Sequence, residues 1–317
     1  MSSGYSIGID IGGTTTKIGI FSRDGRLRFK AEIPTDKTES GIRILPNAAR
    51  TAMSIMSAGK ISLEDVVGAG IGVPGPVRND GTVNRCVNLG WGVIDIEGTM
   101  AKLMHMPVKA ANDANLAALG EAWMGAGRDS ESLVMITLGT GVGGGIIEGQ
   151  KILKGCEGAA GEIGHIIVNP GESEACSCGR HGCLEQYVSA KGIVRLAKKR
   201  MQCSDSILSG EQRLSAKKIY DAARLGDSLA KDVTDEAADY LGRAIANISD
   251  ILNPEAVILG GGVSRAGEDL RAGVQKSFEK YVFHACKNTK ILLAYLSNDA
   301  GIYGGARLAL ENAKSLA

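Results

Sequence analysis

The chain has 317 residues, 44% of them apolar and 22% charged, with a formal net charge of +1. That composition supports one large or two medium domains around a packed core and excludes a disordered chain. The near-neutral charge, with Lys198, Lys199 and Arg200 as the one short basic run, argues against a nucleic-acid partner, and no apolar stretch is long enough to cross a bilayer.

Residues 5–22 alternate apolar and polar on both sides of Gly12-Gly13-Thr14. They predict a strand, a tight Gly/Thr turn and a second strand, with no signal peptide ahead of Tyr5. Such a turn suits a nest of donors for phosphate oxygens, and Asp10 before it has the chemistry to hold Mg2+ through water. An ordinary glycine hairpin fits the segment equally well. Asp24-Gly25 marks the next hairpin, and Leu27 to Ile33 is a third strand. Helical spacing then runs from Ile42 to Met56. A buried strand from Val66 to Val73 enters Pro74-Gly75-Pro76 and a long polar loop through Asn88-Leu89-Gly90-Trp91. Loops after strand ends are where α/β folds usually meet ligands.

A weaker helix from Asp95 to Met104 precedes the strand Val108 to Ala111. Asn112 ends that run and an Ala/Leu helix begins at Ala114. Asp113 stands at the join. It reads as a helix N-cap or, facing a ligand, as a group able to take a proton from a bound hydroxyl. Residues 133–149 repeat the first design: a strand, Gly139-Thr140-Gly141 with more glycines, and a second strand. Gly139, Gly141 and Gly144 match the dinucleotide pattern GxGxxG, yet that pattern requires a helix after the glycines, and a strand follows here. The P-loop and protein-kinase signatures are absent.

Three of the seven cysteines, Cys176, Cys178 and Cys183, fall within eight residues. In a long chain without a signal, this favours metal binding in a reducing cytosol over a disulfide framework. They can wrap one soft cation if a fourth ligand arrives. His165 is the best candidate, while His181, inside the loop, is expected to turn outward. Helices are predicted over Val188 to Met201, Ala216 to Arg224 and Ser228 to Leu252. Ser215 is the N-cap of the second, and Pro254 ends the third. The strand Ala256 to Leu259 enters Gly260-Gly261-Gly262, a context suited to packing a nucleotide against backbone. A helix follows Ser264, the last strand spans Ile291 to Leu296, and a final helix runs from Ile302 to Ala317.

Taken together, Asp10-x-Gly-Gly-Thr14, Asn112-Asp113, Leu138-Gly-Thr-Gly141, Gly161-Glu-x-x-His165, Cys176-x-Cys-Gly-x-x-Gly-Cys183-x-Glu185 and Leu259-Gly-Gly-Gly262 resemble the ROK family of repressors and sugar kinases. The match covers Tyr5 to about Ala306. Within the family the chain looks most like the bacterial ATP-dependent glucokinases. The resemblance implies an α/β, two-lobed actin-like or hexokinase-like ATPase fold of duplicated RNase H-like domains with a central cleft. Residues 1–113 and 301–317 would form the small lobe. Residues 114–300 would form the large one, with a zinc segment at 165–183.

It further implies that Asp113 is the general base toward the sugar 6-hydroxyl. Asn112, Glu162, His165 and Glu185 would bind sugar hydroxyls, joined by Asn88 and Gly75. Gly12, Gly13, Thr14, Thr15, Lys17, Gly139, Thr140 and Gly141 would hold phosphates, and Asp10 would organise Mg2+. Gly261 and Gly262 would lie near adenosine. His165, Cys176, Cys178 and Cys183 would hold a structural Zn2+. The expected protein is a cytoplasmic homo-oligomer, dimer or tetramer, that uses ATP on glucose. The competing readings are a kinase for mannose, fructose or N-acetylmannosamine, a polyphosphate-dependent kinase, and a sugar-sensing protein without activity. A repressor of this family needs an added helix-turn-helix, for which there is no room before Tyr5.

Overall fold

The structure, a computed structural model, describes residues 4–84 and 86–316. Strands β1 (Tyr5–Ile11), β2 (Thr15–Ser22) and β3 (Leu27–Pro34) form an antiparallel meander. Then come α1 (Ile44–Ala58), β4 (Val66–Val73), β5 (Thr82–Val83), β6 (Ile94–Asp95), α2 (Ile96–Met104), β7 (Val108–Asn112) and α3 (Asp113–Met124). The chain continues through β8 (Leu133–Leu138), β9 (Val142–Glu148), β10 (Lys151–Ile152), α4 (Glu185–Val188), α5 (Ala190–Met201) and α6 (Ala216–Arg224). It ends with α7 (Ser228–Leu252), β11 (Ala256–Gly260), α8 (Glu268–Tyr281), β12 (Lys290–Leu293) and α9 (Ala300–Leu316).

Two five-stranded sheets repeat one plan. The first has the order β3-β2-β1-β4-β7 and the second β10-β9-β8-β11-β12. In the first, β4 lies parallel to β1 and to β7; in the second, β11 lies parallel to β8 and to β12. Strands β4, β8 and β11 read as near-continuous apolar runs because both of their faces are covered. Ile7, Ile9, Ile18, Ile20 and Ile71 are fully buried in one core, and Val257, Ile258 and Leu259 in β11 are equally buried. This duplicated order is that of the hexokinase-like ATPase fold.

By contacts the chain divides into two units. One comprises the residues up to Glu131, Gly145–Gly161 and the residues from Tyr295 onward; the other comprises Ser132–Gly144 and Glu162–Ala294. The division thus places 114–131, 145–161 and 295–300 with the first unit, whereas the boundary expected from the sequence lies after Asp113. Backbone packing accounts for α3. A Cβ at Gly304 of α9 would fall on the Leu116 carbonyl oxygen of α3, and one at Gly8 of β1 would fall on that of Ile302. Helix α9 therefore seals β1 and α3 together at glycine-only distances.

Several local expectations shift. The N-cap of α3 is Asn112, whose side-chain oxygen accepts from Ala114 N (2.9 Å) and Asn115 N (3.2 Å), so Asp113 is the first helical residue and not the cap. The helix expected from Val188 starts at Ala190, because Ser189 Oγ accepts from Gly192 N (3.0 Å) and breaks it from α4. The helix expected after Ser264 begins at Glu268, following a 3-10 turn over Val263–Ala266. Ala317, predicted to end α9, lies outside the described residues. Among those residues no helix is long and apolar enough to cross a membrane.

Candidate active site

In the first unit the acidic candidates converge at the end of β1. Asp10 faces Lys17 across the β1–β2 register. A Cβ on Gly72 of β4 would lie 3.5 Å from Asp10 Oδ1 and 3.6 Å from Asp113 Cα, so the two acids border the same glycine. Burial first, then the charge of Asp113, pushes the Asp10 carboxyl up to about 7; Lys17 opposes the rise and Asp299 adds to it. Lys17 is not a free phosphate donor here. Its Nζ donates to Asn298 O (2.6 Å) and lies 4.0 Å from Asp299, which also pairs with Lys30 at 2.7 Å.

The Gly/Thr turn beside Asp10 is closed by its own bonds. Gly12 N donates to Thr15 O (2.9 Å), and Thr35 Oγ1 donates to Gly12 O (2.8 Å). Gly13, half-buried, and Thr14, exposed, form the tip, and a Cβ on Gly13 would meet nothing within 4 Å, which leaves room for a ligand against the backbone.

Asp113 Oδ1 accepts from Ala114 N (2.8 Å), which holds the carboxylate at the positive end of α3. Asn112 Nδ2 donates to Gly75 O (3.3 Å), so these two sugar-site candidates are joined. Asn88 sits exposed in a short 3-10 turn. Its neighbour Cys86 has its thiol pushed up by burial, with Asp113 contributing, which brings this loop within electrostatic reach of the acid.

One residue in this unit escaped the sequence reading. Glu121, in the last turn of α3, is fully buried and accepts from Ala126 N (2.8 Å), Tyr295 N (3.1 Å) and Leu296 N (2.7 Å). It pins α3 to the segment that carries Asn298 and Asp299, the partners of Lys17. The only hint in the sequence was a charged residue on an otherwise apolar helix.

In the second unit, Glu185 is the hub. Its Oε2 accepts from Val142 N (3.0 Å), just after the Gly139-Thr140-Gly141 turn, and its Oε1 accepts from Ser177 Oγ (2.9 Å). A Cβ on Gly141 would lie against this carboxylate, so any larger residue there would have to displace Glu185. Glu162 is exposed, one turn before His165, whose N–H donates to Glu162 O (3.1 Å).

His165, Cys176, Cys178 and Cys183 place one ligand atom each within 4.8 Å of all the others. Cys178 and Cys183 have their sulfurs 3.6 Å apart, and His165 Nδ1 is 3.9 Å from Cys176 Sγ. Tetrahedral zinc at about 2.3 Å from each sulfur requires sulfurs about 3.8 Å apart, so the donor set fits that metal. The backbone N–H of Arg180 leads in bringing the Cys178 thiol down to about 6, while burial leads in pushing Cys183 up to about 12. His181 is exposed and outside this group, as expected.

The segment is braced by Glu172, which accepts from Tyr187 Oη (2.8 Å) and Arg195 Nη1 (2.9 Å). Also in this unit, Gly261 (φ +85°) packs on Leu138 in a conformation that favours glycine, and a Cβ on Gly262 would meet nothing within 4 Å. A cavity of about 290 Å3 opens beside Gly262 against α6.

The ROK family profile matches residues 6–312. A glucokinase of Halalkalibacterium halodurans is 40% identical over 100% of this chain and 98% of its own length. The Thermotoga maritima glucokinase is 36% identical over 96% of this chain and 97% of its own. The crystal structure of a ROK glucokinase from Streptomyces griseus in complex with glucose and AMPPNP superimposes with a TM-score of 0.78 at 36% identity, covering 97% of this chain and all of that one. With its duplicated sheets, paired acids and Cys/His cluster, the chain belongs to the ROK family.

Proposed function

We propose that this protein is a glucokinase that transfers the γ-phosphate of ATP to the 6-hydroxyl of glucose. The observation that carries the reading is the placement of Asp10 and Asp113 about Gly72. One acid, Asp113, opens α3 with its carboxylate on the Ala114 N–H. The other, Asp10, is half-buried beside that acid, and burial with the Asp113 charge disfavours its ionised form, a cost that a bound cation would relieve. Full-length similarity to proteins named glucokinase supports the choice of sugar.

Phosphoryl transfer asks a protein mainly for positioning and charge stabilisation. Asp113 accepts the proton of the 6-hydroxyl as that oxygen bonds to phosphorus and the bond to the ADP oxygen breaks. Asn112 holds the start of α3 rigid through its capping bonds and, with Gly75 and Asn88, offers polar contacts to neighbouring hydroxyls. Glu162, His165 and Glu185 serve the hydroxyls near the anomeric carbon. The Gly12–Thr15 and Gly139–Gly141 turns cradle phosphates, Lys17 steadies Asp10, and Gly261 and Gly262 adjoin the nucleoside. Asp10 would hold Mg2+, which supplies charge to the phosphate oxygens when bound. His165 turns Nδ1 toward Cys176 Sγ and would offer that nitrogen to zinc, which would leave Nε2 for the sugar and tie ring orientation to the metal. A zinc held by these four side chains would have no open position and would serve the structure.

The test is ADP release with ATP and Mg2+ across glucose, mannose, fructose and N-acetylmannosamine, beside Asp113→Asn. Glucose turnover that falls by about 10²–10⁴ in the variant supports the base and the substrate. Preference for another hexose overturns the substrate. Turnover with polyphosphate alone overturns the donor, and no turnover at all favours a sensing role.

A further inference from the structure

Ser177 takes no part in the transfer chemistry and binds no metal, yet it touches both sites of its unit. It lies between Cys176 and Cys178, in a turn closed by Cys176 N on Arg180 O (2.7 Å) and Gly179 N on Cys176 O (2.9 Å). Its side chain is exposed, and its hydroxyl donates to Glu185 Oε1 (2.9 Å). Cys176 Sγ stands 3.8 Å from that hydroxyl and 4.0 Å from the same carboxylate oxygen. A cysteine that holds a metal does so as thiolate and has no proton to give. Ser177 is then the side-chain donor left to this oxygen among the described residues.

A carboxylate needs two anchors to hold its plane. The last torsion of a glutamate is broad and roughly two-fold, so the bond from Val142 N to Oε2 (3.0 Å) alone would let Oε1 swing. The Ser177 hydroxyl is the second anchor. Each oxygen keeps a lone pair after its bond, and the two anchors together decide where those lone pairs point. Gly141 limits the carboxylate from the Oε2 side, where a Cβ would stand 2.4 Å away. A hydroxyl that meets an acceptor already in place avoids the cost of ordering it on binding.

We infer that Ser177 is a positioning residue for the sugar: its hydroxyl sets the plane of the Glu185 carboxylate, and with it the affinity for hydroxyls near the anomeric carbon. The inference rests on the reading of Glu185 as a sugar acceptor in a hexose kinase. The 6-hydroxyl lies at the other end of the sugar from these contacts. Loss of the Ser177 anchor therefore acts on binding and leaves the phosphoryl-transfer step intact.

Calorimetric titration of glucose, beside steady-state kinetics, into the wild type, Ser177→Ala and Ser177→Thr tests it. Ser177→Ala should bind glucose about five- to tenfold more weakly and raise KM by the same factor, with kcat held within about twofold. Ser177→Thr keeps the hydroxyl and should bind as the wild type does. Zinc content and melting temperature should match the wild type in both variants, which a merely structural role for the side chain would not allow. Unchanged affinity in Ser177→Ala, a loss in kcat instead of KM, a loss of zinc or stability that accompanies the weaker binding, or a Ser177→Thr variant as weak as Ser177→Ala overturns the positioning role while the wild type's phosphorylation of glucose stands. Where the wild type prefers mannose, fructose or N-acetylmannosamine, the same titration with that hexose decides. A wild type that binds none of the four sugars overturns both the positioning role and the sugar-kinase reading.

Discussion

Asp10→Asn should make the protein without Mg2+ more stable at pH 8 and leave it inactive. The carboxyl is pushed up to about 7 from an ordinary value of 3.8, so the folded state favours the protonated form. Stability is then lost as pH rises from about 4 through about 7, and the full cost is present above that. About three units at 1.36 kcal/mol each comes to about 4 kcal/mol. Asparagine keeps the shape without the charge and avoids the cost. At about 2 °C per kcal/mol for a chain of this size, the variant should melt about 8 °C higher at pH 8. The difference should vanish near pH 4 and shrink when Mg2+ is added at pH 8. Scanning calorimetry in chelator across that range reads it. A wild type as stable as the variant at pH 8 would refute the reasoning, because Asp10 would then be paid no penalty by its surroundings.

Three further outcomes follow from the same structure. Glu121→Ala strands three backbone N–H groups and should destabilise by about 3 kcal/mol or more, read by urea titration; a loss below about 1 kcal/mol would show that water replaces the carboxylate. At Glu172, burial opposes ionisation, but the Glu174 N–H, the Tyr187 hydroxyl and Arg195 outweigh it and hold the carboxyl down at about 2. Its contribution, about 3 kcal/mol, is therefore present above about pH 4.5 and lost as pH falls through 2. Glu172→Gln should flatten the acid limb of the stability curve, and an unchanged limb counts against the network. Intact-mass measurement under native conditions should find a single zinc per chain, absent in Cys176→Ala. Chelation should lower the melting temperature, and added zinc should restore it; a wild type free of zinc after growth in zinc-supplemented medium sinks the assignment.

The fold was legible where one physical signal dominated. The apolar run Val66–Val73 could be read directly as β4, and Ser215 with its helix as α6, because buried parallel strands and capped helices leave local marks. Boundaries slipped where a distant partner decided them. The last strand stops at Leu293, short of the expected Leu296, because Tyr295 and Leu296 turn their N–H groups to Glu121, 174 and 175 residues away in the chain. No window of local periodicity contains that information.

The candidate site divides the same way. Short-range chemistry was readable: three cysteines within eight residues, and an acid at a strand-to-helix join. What the residues do to one another was not. Lys17 looked like a phosphate donor because it follows the Gly/Thr turn, yet its ammonium is spent on Asn298 and Asp299, which makes it part of Asp10's surroundings. Glu185 looked like a sugar ligand, yet one oxygen already holds Val142 N and the other Ser177 Oγ. A carboxylate has lone pairs to spare, so these bonds do not remove it from a ligand. They fix where it stands, and through it a glycine turn and the cysteine cluster are held by one side chain. Long-range bonds of this kind turn separate motifs into a site, and they are the part that a linear pattern cannot carry.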